Sequence, residues 1–336
     1  MRFSRIALTL AFLLPAASLA AQETVPVRPY DVPWGRDGRP RDPAVAPDGS
    51  IFFVGQRANY IGRLDPNTGE FKRFEIDSGA NPHTVIVDNN GIAWYAGNRN
   101  ATIGRLDPKT GEVQRFPVTE GVRDPHTMVF DPQGNIWFTA QGSGAVGHFN
   151  VTTKQFKIYK MPVEGRSNPY GSVVDSKGRP WFNLFATNMV GTVDAATDQV
   201  KTFKLASDST RDRRIGITSD DKIFYTDFRR GRVGMFDPAT GQSKDWLLPG
   251  GASTQPYAMT VDDKDRVWVV EANPQRPNRL VGFDPRTEKF FSITELPGER
   301  NVVRHMVFDK KTGMIWFGAD AGYISKANVS GSKVAM

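Results

Sequence analysis

The sequence contains no cysteine, only four histidines and no apolar run long enough to cross a bilayer. Without cysteine, neither disulfides nor thiolate metal sites are available, so the chain must hold itself together by core burial. Charge of one sign is also scarce. The formal charge is +7, falls to +5 when Arg2 and Arg5 are set aside, and comes from basic residues that are scattered rather than clustered. That excludes the electrostatic footprint of a nucleic-acid-binding protein. No Gly-rich phosphate loop, Gly-x-Ser-x-Gly elbow or His-Glu-x-x-His motif occurs, which argues against the common nucleotide, serine-hydrolase and zinc-protease chemistries.

The first 20 residues read as a secretory signal peptide. Arg2 and Arg5 supply the positive start, Ile6 to Leu14 the apolar run, and Ser18-Leu19-Ala20 the small-residue cleavage pattern, with cleavage expected between Ala20 and Ala21. The mature chain, residues 21–336, is then a periplasmic or secreted protein without a transmembrane segment, expected to be a monomer.

What the chain does have is a repeat of about 43 residues, a period that points to a solenoid or a propeller. Seven units begin near Pro40, Pro82, Pro125, Pro169, Asp212, Pro256 and Val303. In the unit from Pro82, the β-branched run Thr84 to Val87 and the aromatic run Ala93 to Ala96 flank Asp88-Asn89-Asn90-Gly91, which suits a tight hairpin. A third strand, Ala101 to Leu106, and a fourth, Glu112 to Val118, flank the turn Asp107-Pro108-Lys109-Thr110-Gly111. Four strands per unit, seven times over, predict an all-β, seven-bladed propeller. A solenoid would need atypical capping ends. Here the last unit stops after its third strand, Tyr323 to Asn328, and the extended segment Thr24 to Val32 is the expected donor of the fourth, closing the ring.

The repeat also indicates a functional face. The starts of the innermost strands are Arg41, His83, His126, Tyr170, Arg213, Tyr257 and Arg304, and the second strands end at Gly55, Gly97, Ala140, Leu184, Asp227, Glu271 and Ala319. The two sets lie 14 residues apart around each hairpin, 15 in the last, and are expected to face each other at one mouth of the channel. Arg213 is then expected to face Asp227, foremost as a structural ion pair, and Tyr257 to face Glu271, which has no obvious basic partner. His305, one residue past the ring, is expected to point away. His83 and His126, with Asp124 two residues before the latter, offer general acid, general base and metal-ligand chemistry. They are equally readable as blade-start turns bonded to backbone carbonyls. The recurring Trp-Phe and Trp-Tyr pairs (Trp94 and Tyr95, Trp137 and Phe138, Trp181 and Phe182, Trp316 and Phe317) are expected to pack between blades.

The units Pro-His-x-x-x-x-Asp-x-x-Gly-x-x-Trp-Phe, Ile-Gly-Arg-Leu-Asp-Pro-x-Thr-Gly and Phe-x-x-Pro, over about residues 40 to 328, resemble the virginiamycin B lyase (streptogramin lyase) family. The resemblance implies a seven-bladed propeller and a magnesium-dependent elimination that opens the ester of cyclic depsipeptides. By blade order, the family's two catalytic histidines map to Tyr257 and Arg304, and its two glutamates to Val302 and Ala319. Its spacing recurs, with Asp for Glu, at His83, Asp124 and His126. Two functions are therefore carried forward. One is a metal-assisted lyase acting on an ester or lactone of a small or peptide-like ligand at the channel mouth. In it His126 is the general base, His83 and Tyr257 assist, and Asp124 or Glu271 holds Mg2+ or another divalent cation. Arg41, Tyr170, Arg213 and Arg304 bind the ligand. The other is a noncatalytic binding or scaffold propeller of the cell envelope.

Overall fold

The computed structural model describes residues 23–332 except 120, 195–196, 274–275 and 299–301. Residues 1–20 lie outside the described residues, and the signal-peptide reading lies there with them.

Turn chemistry explains why each unit becomes a four-stranded blade. In blade 2, Asp88 accepts the backbone N–H groups of Asn90 and Ile92 through one carboxylate oxygen, and Gly91 takes a φ of 79°. That closes the hairpin between strand A (Pro82–Val87) and strand B (Ala93–Gly97). The second oxygen of Asp88 accepts the indole N–H of Trp94 at 3.1 Å. The same clamp joins Trp181 to Asp175 and Trp268 to Asp262. The six-residue spacing of Asp and Trp thus buries an indole without leaving its N–H unpaired. Strands C (Thr102–Leu106) and D (Val113–Pro117) complete an antiparallel A-B-C-D sheet.

Seven four-stranded sheets of this kind make a propeller ring. The apolar core lies between neighbouring blades: Trp94, Ala96 and Ile103 of blade 2 pack with Met128, Ile136 and Phe138 of blade 3. The glycine of the recurring strand C motif is required by this packing. A Cβ on Gly62, Gly104, Gly147 or Gly234 would sit 2.0–2.2 Å from the ring of Phe53, Tyr95, Phe138 or Tyr225 on strand B.

The ring closes as expected. Val27–Asp31 pairs antiparallel with Tyr323–Asn328, so the seventh blade holds the first and the last of the described strands. Blade 6 departs from the expected pattern. Its innermost strand is only Met259–Val261, which leaves Tyr257 outside it, although Tyr257 still donates its N–H to the carbonyl of Val270.

Gly104→Ala is expected to cost about 1–3 kcal/mol through overpacking against Tyr95, read as a lowered midpoint in chemical denaturation. The exposed turn substitution Asn89→Ala is expected to leave that midpoint nearly unchanged.

Candidate active site at the channel mouth

One irregularity in the innermost strands builds the site. In blades 1 to 5 and 7 the A–B pairing slips by one residue: Pro82, for example, pairs with Gly97 but Val85 with Tyr95, so His83 and Thr84 together oppose Ala96. A β-bulge of this kind suspends the alternation of a flat strand and lets two consecutive side chains face the axis. The channel is therefore lined in two tiers. Arg41, His83, His126, Tyr170, Arg213, Tyr257 and Arg304 form the upper tier, and Asp42, Thr84, Thr127, Arg214 and His305 the lower. The expectation that His305 points away fails for this reason. It faces the same lower tier, where burial and the nearby Arg214 lower its pKa to about 4.

Arg214 crosses the channel. It donates to Asp42 at 2.8 Å, to the Thr127 hydroxyl at 3.0 Å and to the Arg304 carbonyl at 2.8 Å, tying blade 5 to blades 1, 3 and 7. Asp42 also receives Arg41 Nε at 3.0 Å and the Thr84 hydroxyl at 3.1 Å. Burial alone would raise the Asp42 carboxyl, but Arg41 and Arg214 hold it well below the usual carboxylate range.

Above this floor the upper tier forms a chain of contacts. Arg41 Nη2 donates to His83 Nε2 at 3.1 Å. Because a guanidinium has no acceptor, His83 Nδ1 carries the proton and donates to Thr84 Oγ1 at 3.2 Å. The rings of His83 and His126 lie 3.4 Å apart, and His126 lies 4.4 Å from the Tyr170 ring. Burial and the nearby arginines push both imidazoles well below their ordinary pKa, so the pair is neutral. Tyr170 and Tyr257 share a hydrogen bond, and Arg304 Nη1 donates to the Tyr257 hydroxyl at 3.4 Å. Burial opposes ionisation of Tyr257, yet Arg41, Arg213, Arg304 and Arg214 together bring its pKa below the ordinary value of 10, while burial raises that of Tyr170.

Three expected partners are placed elsewhere. The bulge puts Asp212, not Arg213, opposite Asp227, and Asp227 is held by Arg230 at 2.6 Å. Glu271 does not meet Tyr257. It pairs with Arg279, its neighbour across the B–C hairpin, and accepts the N–H of Gly250. Asp124 clamps a loop, accepting the N–H groups of Gly142 and Ser143. His148 pairs with Asp131 at 3.0 Å, a structural role. The side chains therefore do not fit a divalent cation at the mouth. His83 Nε2 is taken by Arg41, Asp124 and Glu271 are engaged in loop and hairpin contacts, and no three His, Asp or Glu side chains among the described residues are grouped so as to hold a metal ion.

The family follows from sequence over the whole ring. The family model for virginiamycin B lyases matches residues 25–327. The chain belongs to the virginiamycin B lyase family. Among solved structures it is similar to a streptogramin B lyase at 22% identity, with a TM-score of 0.81, covering 90% of this chain and 97% of that one. It is also similar to the selenomethionine-substituted virginiamycin B lyase from Staphylococcus aureus, at 18% identity and a TM-score of 0.81, covering 91% and 99%. A catalytically inactive form of the S. aureus enzyme with quinupristin gives 19% identity and a TM-score of 0.80, covering 91% and 99%. At such identities the structural likeness establishes the fold. No curated protein matches the chain.

Asp42, Arg214, Asp320 and Asp212 are the site residues that sequence reading missed. Asp320 bonds Arg304 at 2.9 Å and Arg39 at 3.1 Å and so orients the arginine that touches Tyr257. Asp212 is fully buried with neither carboxylate oxygen hydrogen-bonded. Burial, with the nearby Asp227 and against the lowering effect of Asn183, pushes its pKa up to about 8.

Two outcomes follow from these carboxyls. Asp42→Ala is expected to cost about 3–5 kcal/mol in denaturant unfolding, because it leaves Arg41 and Arg214 buried without their counter-charge. Between about pH 4 and about pH 8 the folded chain holds a proton on Asp212 that the unfolded chain has lost, so stability falls as pH rises through that window. Asp212→Asn is expected to remove that part of the slope and raise Tm at the upper end, as checked by thermal melts across the window.

Proposed function

We propose that this family member is an exported propeller that binds an anionic small or peptide-like ligand at the channel mouth and breaks a carbon–oxygen bond by elimination, with Tyr257 as the base. The observation that carries this reading is the contact between Tyr257 and Arg304. These two residues stand where the family resemblance places its catalytic histidines, and they meet at 3.4 Å under the positive field of the mouth. Export rests on the character of residues 1–20.

A base works best when its pKa lies near the working pH. Tyr257 is shifted in that direction, whereas the buried imidazoles are shifted away from it. In the elimination, the Tyr257 oxygen takes the proton from the carbon beside a carboxyl or carbonyl group. The electron pair left on that carbon forms a double bond, the neighbouring carbon–oxygen bond breaks, and its electrons leave with the departing carboxylate. Tyr170 donates a hydrogen bond to the ionised Tyr257, and Arg304 and Arg213 stabilise negative charge that develops on the substrate. His126, neutral and packed at a tilt against Tyr170, borders the ligand rather than acting as the base. No step is assigned to a cation.

A second reading, a noncatalytic binding propeller, is favoured by the tight mutual packing of His83, His126, Tyr170 and Tyr257, all of them buried. Turnover of N-acetyl-O-acylthreonine acids, followed by ultraviolet absorption of the unsaturated product, separates the two. The lyase reading expects kcat to rise with pH to an apparent pKa below 10, and Tyr257→Phe to lower kcat by about a hundredfold or more with KM little changed. Absence of turnover with retained binding leaves the second reading. Calorimetric titration with magnesium is expected to give no saturable heat. Saturable binding lost in the His83→Ala, His126→Ala double variant would return the cation to the mechanism.

A further inference from the structure

The arginines of the mouth are not equivalent. Arg41 is held by Asp42 and Gln56, Arg214 by Asp42 and Thr127, and Arg304 and Arg39 by Asp320. Arg213 alone among them makes no hydrogen bond or ion pair with a described residue, and its Nε is buried without a partner. Rings surround it instead. Its guanidinium carbon lies 3.7 Å from the centroid of Phe185, 4.6 Å from Phe228, 5.1 Å from Tyr257 and 5.8 Å from Tyr170.

Cation–π contacts of this kind fix the guanidinium and hold its position, but they leave its N–H groups unsatisfied. A plane covered by rings keeps its N–H edge to offer, and that edge matches a carboxylate two bonds at a time. The rim around it is lopsided. The residue following each strand B is Gln56, Asn98 and Gln141 in blades 1 to 3 and Asp320 in blade 7, but Phe185 and Phe228 in blades 4 and 5, both half-buried. One side of the mouth is thus polar, and the side that holds the unpaired cation is aromatic.

Building on the reading of the mouth as an anion site, we infer that its ligand is an acid with an aromatic or comparably apolar group beside the carboxylate. The carboxylate bonds the free edge of Arg213, and the apolar group lies against Phe185 and Phe228. The polar side of the mouth, at the half-buried Asn98 and Gln141, receives the remainder, which suits the amide groups of an acylated aromatic amino acid. A bare oxyanion such as phosphate satisfies Arg213 but gains nothing from the rings.

Calorimetry on the full chain tests this with N-acetylphenylalanine, its amide, N-acetylalanine and inorganic phosphate. The acid is expected to bind at one site about tenfold or more tighter than each of the other three, since each lacks either the charge or the ring. Arg213→Gln is expected to abolish the preference for acid over amide. Phe228→Leu should reduce the preference for the aromatic over the alanine compound, and Arg213→Lys, which keeps the charge but not the planar edge, should weaken binding of the acid. Equal binding of acid and amide, phosphate competing as well as the acid, or an Arg213→Gln variant that folds and binds as before, would each overturn the inference. Melting curves of the Gln and Lys variants establish that both are folded. The two readings fail separately. Loss of the Tyr257 requirement for turnover would leave this binding pattern intact, and loss of the binding pattern would leave a Tyr257-dependent turnover in place.

Discussion

Arg214 and Asp42 meet on the axis of the ring, at 2.8 Å and almost wholly out of water, and the upper tier of the channel rests on that contact. A buried ion pair holds only when its remaining donors and acceptors are satisfied, and here they are, by Thr84, Thr127, Arg41 and the Arg304 carbonyl. The result is a polar floor that joins five blades. Above it His83, His126, Tyr170 and Tyr257 pack through tilted and edge-on ring contacts. It also explains why Asp42 tolerates a φ of 45°, a left-handed backbone uncommon for a residue other than glycine: two arginines and a threonine hold its carboxylate in place.

Positive charge gathers at this mouth without the chain as a whole being strongly basic. Asp42 and Asp320 each serve two arginines, so the guanidinium groups outnumber the carboxylates among the described residues around Tyr257. The phenol of Tyr257 and the free edge of Arg213 are two consequences of that one imbalance. An acidified hydroxyl and an unsatisfied cation on the same side of the axis are what a site needs to bind an anion and move a proton from it.

Much of this was legible in the sequence. The Asp-x-x-Gly turns, the Trp six residues after Asp and the strand C glycine are local requirements of one blade, so each repeats and each can be read from a single unit. Periodicity also identified all seven residues of the upper tier, because equivalent positions in a ring converge. The bulge was not legible: no residue marks it, since Pro-His-Thr, Asp-Arg-Arg and Val-Arg-His all adopt it. Missing it misdirected His305 and paired Arg213 with the wrong neighbour. Contacts across the axis, such as Arg214 with Asp42, join residues 172 apart by side-chain reach alone and leave no trace in spacing. The Glu271–Arg279 pair differs in kind. It lies directly across one hairpin, and counting eight residues through the turn would have found it.

The strand that closes the ring has a consequence in time. Val27 pairs with Ala327, so the first described strand finds its partner only after all the blades between them have been made. Contacts between such distant parts of a chain carry the full entropy of the loop they close, and they form slowly. Six blades can assemble from neighbours as they are synthesised, but the seventh cannot. Until it does, the three strands of the last blade present a free edge, and Arg214 has no completed ring to span. The channel mouth therefore comes into being in one late step, as a property of the closed circle rather than of any blade within it.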